Sequence, residues 1–351
     1  MPSKALKDLV GKLPSEYIEF AEDGLDADIE EFVDTGSYAF NALLSGSLYG
    51  GFPTNRISVL CAENSSGKTF YALSAVKYFL KKFPGSIAVY FDTESAVTTQ
   101  MLTSRNIDPS RVAVIGVSTL EDFRHNAVTL LDNYMKQDES ERPRMMLVLD
   151  SFGMLSSEKE MEDTSAGKNT VDMTKGRIAK GIFRVLMLKL AKAKVPMIIN
   201  VHQYLQQGAM FPQAIPAGGE GLKYACSHLI FMSKSKEKDG TEVVGAIIKC
   251  KTGKSRCTKE QKIVETRLFF DRGLDRYYGL IPIALKYEIF KQEGPRIVMP
   301  DGTKVYESKI YKDPTKYFTD EIMAKLEEAC KDEFHYMRAA KADEDEEDNG
   351  D

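Results

Sequence analysis

Two hydrophobic periods alternate along the chain. Apolar runs of five or six residues, bounded by turns, fall at Ile57–Cys61, Ile87–Phe91, Val112–Val117, Met145–Leu149 and Pro196–Val201. Strands that are apolar throughout suit a sheet covered on both faces. Between them, residues 68–83, 120–136 and 172–193 show helical spacing. The alternation predicts an α/β fold built on a mostly parallel, twisted sheet. Runs near 227–232, 243–250 and 263–271 have no helix between them and predict an antiparallel extension of that sheet. From about 282 a small α+β C-terminal region is expected, with a turn at Met-Pro-Asp-Gly-Thr-Lys and a helix at about 319–333. At the other end, Leu6, Leu9, Val10 and Leu13 share a helical face that Pro14 ends. So short a helix is marginal alone and needs a surface, either its own core or a neighbouring subunit. The pattern divides the chain into an N-terminal helix and acidic linker (1–32), a core (33–285), a small C-terminal region (286–338) and a tail (339–351) expected to be disordered.

Composition narrows the class. A chain of 351 residues is long enough for about two domains or one large core with appendages. No window approaches the roughly 18 apolar residues of a membrane span. The first residues lack the apolar run of a signal peptide, so a cytoplasmic protein without membrane contact, not a secreted one, is expected. Cys61, Cys226, Cys250, Cys257 and Cys330 are odd in number and scattered, which argues against a disulfide framework or a zinc site. The net charge of -5 hides an asymmetry. Residues 343–351 hold seven acids and no base; the rest carries 45 acids against 47 bases. Residues 233–262 hold nine Lys or Arg against four acids. A basic stretch with an acidic tail suits a nucleic-acid protein whose tail competes with phosphates, and equally a solvated loop with a solubility tail.

The strongest chemical signal follows the first strand. Ala62-Glu63-Asn64-Ser65-Ser66-Gly67-Lys68-Thr69 matches a phosphate loop at Gly67, Lys68 and Thr69 but has Ala62 where the pattern has its first glycine. Backbone N–H groups at a helix N-terminus cradle a phosphate, the lysine reaches the outer phosphates, and the threonine hydroxyl serves Mg²⁺. Asp150 ends a second apolar strand and is placed to support that metal. Glu94 follows a third strand and is placed to polarise a water for attack on the γ-phosphate. Ligands gather at the C-terminal ends of such strands.

These pieces, in this order, resemble a RecA-family recombinase, and most nearly the UvsX-type recombinases of phages. The likeness covers about residues 33–285 and implies a RecA-like P-loop NTPase core. Asp34-Thr35-Gly36-Ser37 resembles the family's opening motif, Asp92-Thr93-Glu94 its catalytic-glutamate strand and Asp150-Ser151 its Walker B. Asn200-Val201-His202 resembles the strand end whose polar side chain senses the γ-phosphate; His202 takes that place, with Gln203 as an alternative. The resemblance implies ATP and Mg²⁺ as cofactors. It implies nucleotide contacts from Glu63, Asn64, Ser65, Ser66, Gly67, Lys68, Thr69, Thr98, Met101 and Asp150, with Thr69 and Asp150 serving the metal. Met101 stands where the family usually has an adenine-stacking tyrosine. Lys254 and Arg256 resemble paired cations that reach a neighbouring subunit's ATP; Lys249 and Lys251 leave the register open, and a basic hairpin touching DNA remains the other reading.

Two DNA loops are implied, at about Ser156–Asn169 and Gln206–Gly221. The second contains Gly208, Met210, Phe211, Gly218 and Gly219; paired glycines let backbone approach phosphates, and the apolar pair could stack on bases. Arg177, Lys180 and Arg184 lie on one face of the 172–193 helix, opposite Ile178, Ile182, Val185 and Leu186, which suits a nucleic-acid backbone, with a solvated face as the other reading. The implied function is an ATP-dependent DNA recombinase, an enzyme that forms helical filaments of itself on single-stranded DNA, pairs them with homologous duplex DNA and works with single-strand-binding and mediator proteins, in the host cytoplasm if phage-encoded. A ring-forming helicase of the same core and a non-catalytic recombination mediator are the alternatives. The former usually carries a separate N-terminal domain; intact Lys68, Glu94 and Asp150 argue against the latter.

Overall fold

A computed structural model describes residues 3–13, 18–167, 174–205 and 214–336. The terminal acidic tail, the end of the first expected DNA loop at 168–169 and half of the second at 206–213 lie outside the described residues. The described residues fall into two compact units. One takes in Met1–Val33 and Phe52–Leu229, the other Asp34–Gly51 and Ile230–Asp351. Compactness therefore divides the chain inside the expected 33–285 core.

In the first unit the strands are β1 (Ile57–Ala62), β2 (Ile87–Asp92), β3 (Val112–Gly116), β4 (Met145–Asp150), β5 (Met197–Leu205) and β6 (Ala214–Pro216). The first five lie in the order β1-β5-β4-β2-β3, every neighbouring pair parallel; β6 runs antiparallel to β5. All residues of β1 and β4 are buried, which explains their unbroken apolar runs. The crossover helices are α1 (Lys68–Lys82), α2 (Leu120–Met135) and α3 (Lys175–Ala193). Thr119 caps α2 by accepting from Asp122 N, with Glu121 and Asp122 in the first turn where a helix favours negative charge. The N-terminal helix, Lys4–Val10, buries none of its residues; Leu6 and Leu9 are exposed.

The second unit contains β7 (His228–Asp239, whose first two residues belong to the first unit), β8 (Glu242–Ser255) and β9 (Ile263–Phe269), adjacent in that order. β8 and β9 are antiparallel. A separate three-stranded antiparallel sheet (Lys291–Glu293, Arg296–Val298, Lys304–Tyr306) and the helix α4 (Asp320–Phe334) form the small C-terminal region. The Asp34-Thr35-Gly36-Ser37 motif serves local structure here. Asp34 Oδ1 accepts from Gly36 N at 2.8 Å and Asn41 Nδ2 at 2.9 Å, and Asp34 pairs with Arg276 at 2.6 Å. Ser37 caps the following helix at Phe40 N.

All five cysteines are free thiols. Four are buried, and burial pushes the Cys61 thiol up to about 12, so it packs as an inert apolar group. Among the described residues no helix is long and apolar enough to cross a membrane.

Candidate functional site

The phosphate-loop segment makes the turn from β1 into α1. Ser65 and Gly67 take positive φ, 57° and 93°, and Gly67 stands as the left-handed N-cap of α1. A side chain at Gly67 would cost about 1 kcal/mol or more. Ala62, by contrast, is the fully buried last residue of β1 and has no positive φ. The departure from glycine at this position therefore carries no backbone cost. Ser66 Oγ donates to Glu63 O at 2.8 Å and ties the loop to itself. Glu63, Asn64 and Ser65 are exposed at its rim. The opening N–H groups of a helix have no intrahelical acceptor, and the helix dipole favours an anion at that end.

Lys68 is buried, and burial pulls its ammonium below the usual lysine range against the pull of Asp150, Cys61 and Glu94. Its Nζ donates to Ala62 O at 3.2 Å and Glu63 O at 2.9 Å, and lies 3.4 Å from His202 Nδ1. Three protons thus meet three acceptors. On the far side of the ring, His202 Nε2 lies 3.1 Å from Ser151 Oγ, and Ser151 Oγ donates to Glu94 Oε1 at 2.9 Å. An ammonium cannot accept and a carboxylate cannot donate, so the chain runs one way: Lys68 to His202 Nδ1, His202 Nε2–H to Ser151, Ser151 to Glu94. This assigns the Nε2–H tautomer. Register makes the convergence possible: Ala62 pairs with His202, and Asp92 with Asp150, so four strand ends stand level.

Asp150 is buried and accepts two hydrogen bonds on one oxygen, from Thr69 Oγ1 at 2.7 Å and Tyr90 OH at 2.6 Å. Burial, reinforced by the Asp150 charge, holds the Tyr90 phenol far above its usual pKa. Asp92 organises the turn after β2, accepting from Glu94 N and Val97 N at 3.0 Å each. Thr69 and Asp150 are hard oxygen donors of the kind Mg²⁺ takes while sharing its shell with substrate phosphates. Among the described residues no cluster of three or more His, Cys, Asp or Glu could cage a metal alone. The donor set therefore fits a metal held jointly with a nucleotide.

Thr98 accepts from Met101 N at 3.2 Å and caps the short helix Thr99–Thr103. Met101 is half-buried, and its carbonyl accepts from Arg105, whose guanidinium lies 4.3 Å from the Phe70 ring centroid.

The structure places Arg177, Lys180 and Arg184 on the exposed face of α3. Its buried face is Ala179, Ile182, Phe183, Leu186 and Leu190. Val185, assigned by sequence to the apolar face, is 42% exposed, because 3.6 residues per turn carries it about 110° from the centre of that face. The first expected DNA loop contains a helix, Glu158–Ser165, because Ser157 and Glu160 form a capping box. Gly208, Met210 and Phe211 lie outside the described residues. Gly218 has an internal reason to be glycine: a Cβ there would stand 2.9 Å from Leu222 Cδ2 and 3.0 Å from Phe152 Cε1. Gly219 takes φ 64° with open space around it, and begins the helix Gly219–Ala225 where loop was expected.

Three contributions escaped the sequence reading. Tyr90 reads as a strand filler, and Ser151 reads only as the residue after the Walker B acid. Tyr204 pairs across the β5–β6 ribbon with Ile215; the two are 60% and 42% exposed. Tyr204 also lines a cavity of about 310 Å³ with Phe152, Lys175 and Gly218. Lys254 and Arg256 sit in the second unit, half-buried and exposed, flanking a buried Ser255 whose hydroxyl meets Thr258 Oγ1 at 2.9 Å.

The family profile described as RecA N-terminal domain matches residues 5–275. The chain belongs to the RecA family. Members of this RecA family are P-loop, DNA-dependent ATPases of recombination and repair. This chain is 30% identical over 257 residues to the recombination and repair protein of Enterobacteria phage T4, an alignment spanning 73% of this chain and 64% of the phage protein. It is 29% identical over 279 residues to protein RecA of Malacoplasma penetrans, covering 76% and 80% of the two chains. A RadB recombinase crystal structure shares the fold, with TM-score 0.50 and 19% identity over 70% of this chain and 99% of the other.

Proposed function

We propose that this RecA-family chain is an ATP-dependent DNA recombinase that assembles on single-stranded DNA and exchanges strands with homologous duplex DNA. The observation that carries the reading is the meeting of Lys68, Thr69, Glu94, Asp150 and His202 at the C-terminal ends of four parallel strands. In this reading α1's N-terminus and loop residues 63–69 cradle the phosphates, and Lys68 exchanges loop carbonyls for phosphate oxygens. Mg²⁺, when bound by Thr69 and Asp150, neutralises charge on the phosphates. Glu94 accepts the proton of the attacking water as its oxygen bonds the γ-phosphorus and the bond to the leaving phosphate breaks. His202 stands in hydrogen-bond contact with both Lys68 and Ser151, so a change at the γ-phosphate reaches β5 and the segment after it.

Thr98 and Met101 lie beyond the β2 turn as nucleotide contacts. Arg177, Lys180 and Arg184 offer phosphate contacts, with Gly218, Gly219 and the 206–213 segment completing a largely sequence-independent DNA surface. Lys254 and Arg256 act across a subunit interface on a neighbour's nucleotide, which makes hydrolysis depend on the filament. Single-strand-binding and mediator proteins are the partners such a filament needs on coated DNA.

ATP hydrolysis with and without single-stranded DNA tests this, comparing wild type, Lys68→Ala and Lys254→Ala/Arg256→Ala. Strong stimulation by DNA, lost in both variants, is expected. Hydrolysis indifferent to DNA, or untouched by the Lys254/Arg256 change, would sink the shared-site mechanism.

A further inference from the structure

Tyr90 lies in β2, fully buried among core residues, four positions before Glu94. A phenylalanine would fill the same volume, so the hydroxyl adds nothing to packing. Its place comes from register: Tyr90 pairs with Val148 on the adjacent strand, two residues before Asp150. From there the hydroxyl donates to Asp150 Oδ2 at 2.6 Å. Thr69 Oγ1 reaches the same oxygen at 2.7 Å. The two donors differ in what holds them. Tyr90 is fixed by the sheet. Thr69 stands at the start of α1 beside the loop, and its hydroxyl is the one that would serve a bound metal. Were Thr69 to turn to a bound cation, Asp150 would lose that bond and keep the other.

We propose that Tyr90 is a positioning residue of the metal–nucleotide site, holding the Asp150 carboxylate in place while Thr69 exchanges its bond to Asp150 for the cation. The inference rests on the nucleotide-binding reading above. Removing an outer hydrogen bond of this kind typically weakens metal affinity about 10–100-fold. A merely structural hydroxyl would have no reason to act through Mg²⁺.

The test is equilibrium binding of a fluorescent ATP analogue, with saturating Mg²⁺ and in EDTA, to wild type, Tyr90→Phe, Asp150→Asn and the double variant. In Tyr90→Phe, affinity with Mg²⁺ should fall about 10–100-fold while affinity in EDTA stays within about twofold; the EDTA arm also reports intact folding. The Mg²⁺ concentration giving half-maximal binding should rise in parallel. In the Asp150→Asn background, Tyr90→Phe should add nothing. Equal losses with and without Mg²⁺, no loss in either, or additive losses in the double variant would overturn the assignment. A wild type that binds the analogue equally with and without Mg²⁺ would overturn the nucleotide–metal reading beneath it, and this inference with it.

Discussion

Ser151→Ala probes the link between Lys68 and Glu94. Ser151 Oγ donates to Glu94 Oε1 at 2.9 Å and meets His202 Nε2 at 3.1 Å, so the substitution cuts the hydrogen-bond chain at its middle. A hydrogen bond to a charged group contributes about 1.5–3 kcal/mol. The Glu94 side chain is 40% exposed, so water competes for the carboxylate and the lower end, about 1–1.5 kcal/mol, applies. At about 1.4 kcal/mol per decade, kcat for DNA-stimulated ATP hydrolysis should fall roughly 5–12-fold. Neither Lys68 nor Thr69 is bonded to Ser151, so the substitution leaves both free to engage phosphate and metal, and KM for ATP should change less than about twofold. Steady-state hydrolysis over a range of ATP, at saturating single-stranded DNA, separates the two constants. A kcat within twofold of wild type, or a loss carried wholly by KM, would refute the claim that Ser151 positions Glu94.

Two further outcomes are expected. Burial raises the Glu333 carboxyl's pKa, but hydrogen bonds from Lys262 at 2.7 Å, from Lys286 and from Tyr287 at 3.0 Å outweigh it and hold the group at about 2. A carboxyl depressed on folding adds stability above its unfolded value near 4.5 and loses it as pH falls toward 2. The full shift would be worth about 3 kcal/mol, and screening around the 58% exposed Lys286 leaves about 1–2. Urea unfolding should show Glu333→Gln less stable by that amount at pH 7, with the gap narrowing from about pH 4.5 downward and falling below half by pH 3; a constant gap would contradict it. Replacing Arg177, Lys180 and Arg184 together by Ala should lower the slope of log affinity against log salt for single-stranded DNA by up to about 2, read by fluorescence anisotropy. An unchanged slope would take α3 off the DNA surface.

The legible parts of this chain share a physical origin. The expected cores of β1, β2 and β4 lie inside the observed strands, because a buried parallel strand must be apolar along its whole length and little else in a sequence looks like that. The loop into α1 was legible because Gly67, Lys68 and Thr69 stand at fixed spacing after such a strand. The first expected DNA loop was less legible, since the Ser157–Glu160 capping box outweighs a run of polar residues and winds Glu158–Ser165 into a helix. Val185 was misplaced because one residue of a helix face cannot be assigned without knowing where the face is centred. Gly218 was read as a site for phosphate approach, and the Leu222 and Phe152 side chains beside it supply a packing reason for a glycine that the sequence did not show.

Sequence alone singled out the residues proposed to carry the chemistry. Lys68, Thr69, Glu94 and Asp150 are set by local rules: a strand ends, a helix begins, and polar groups stand at the junction. Tertiary structure alone decided how these groups are wired. Ser151 is 57 positions from Glu94 and 51 from His202, and Tyr90 is 60 from Asp150. No spacing along the chain encodes such contacts. They exist because β2, β4, β5 and β1 pair in register, and a shift of one residue in any pair would turn the side chain to the other face of the sheet.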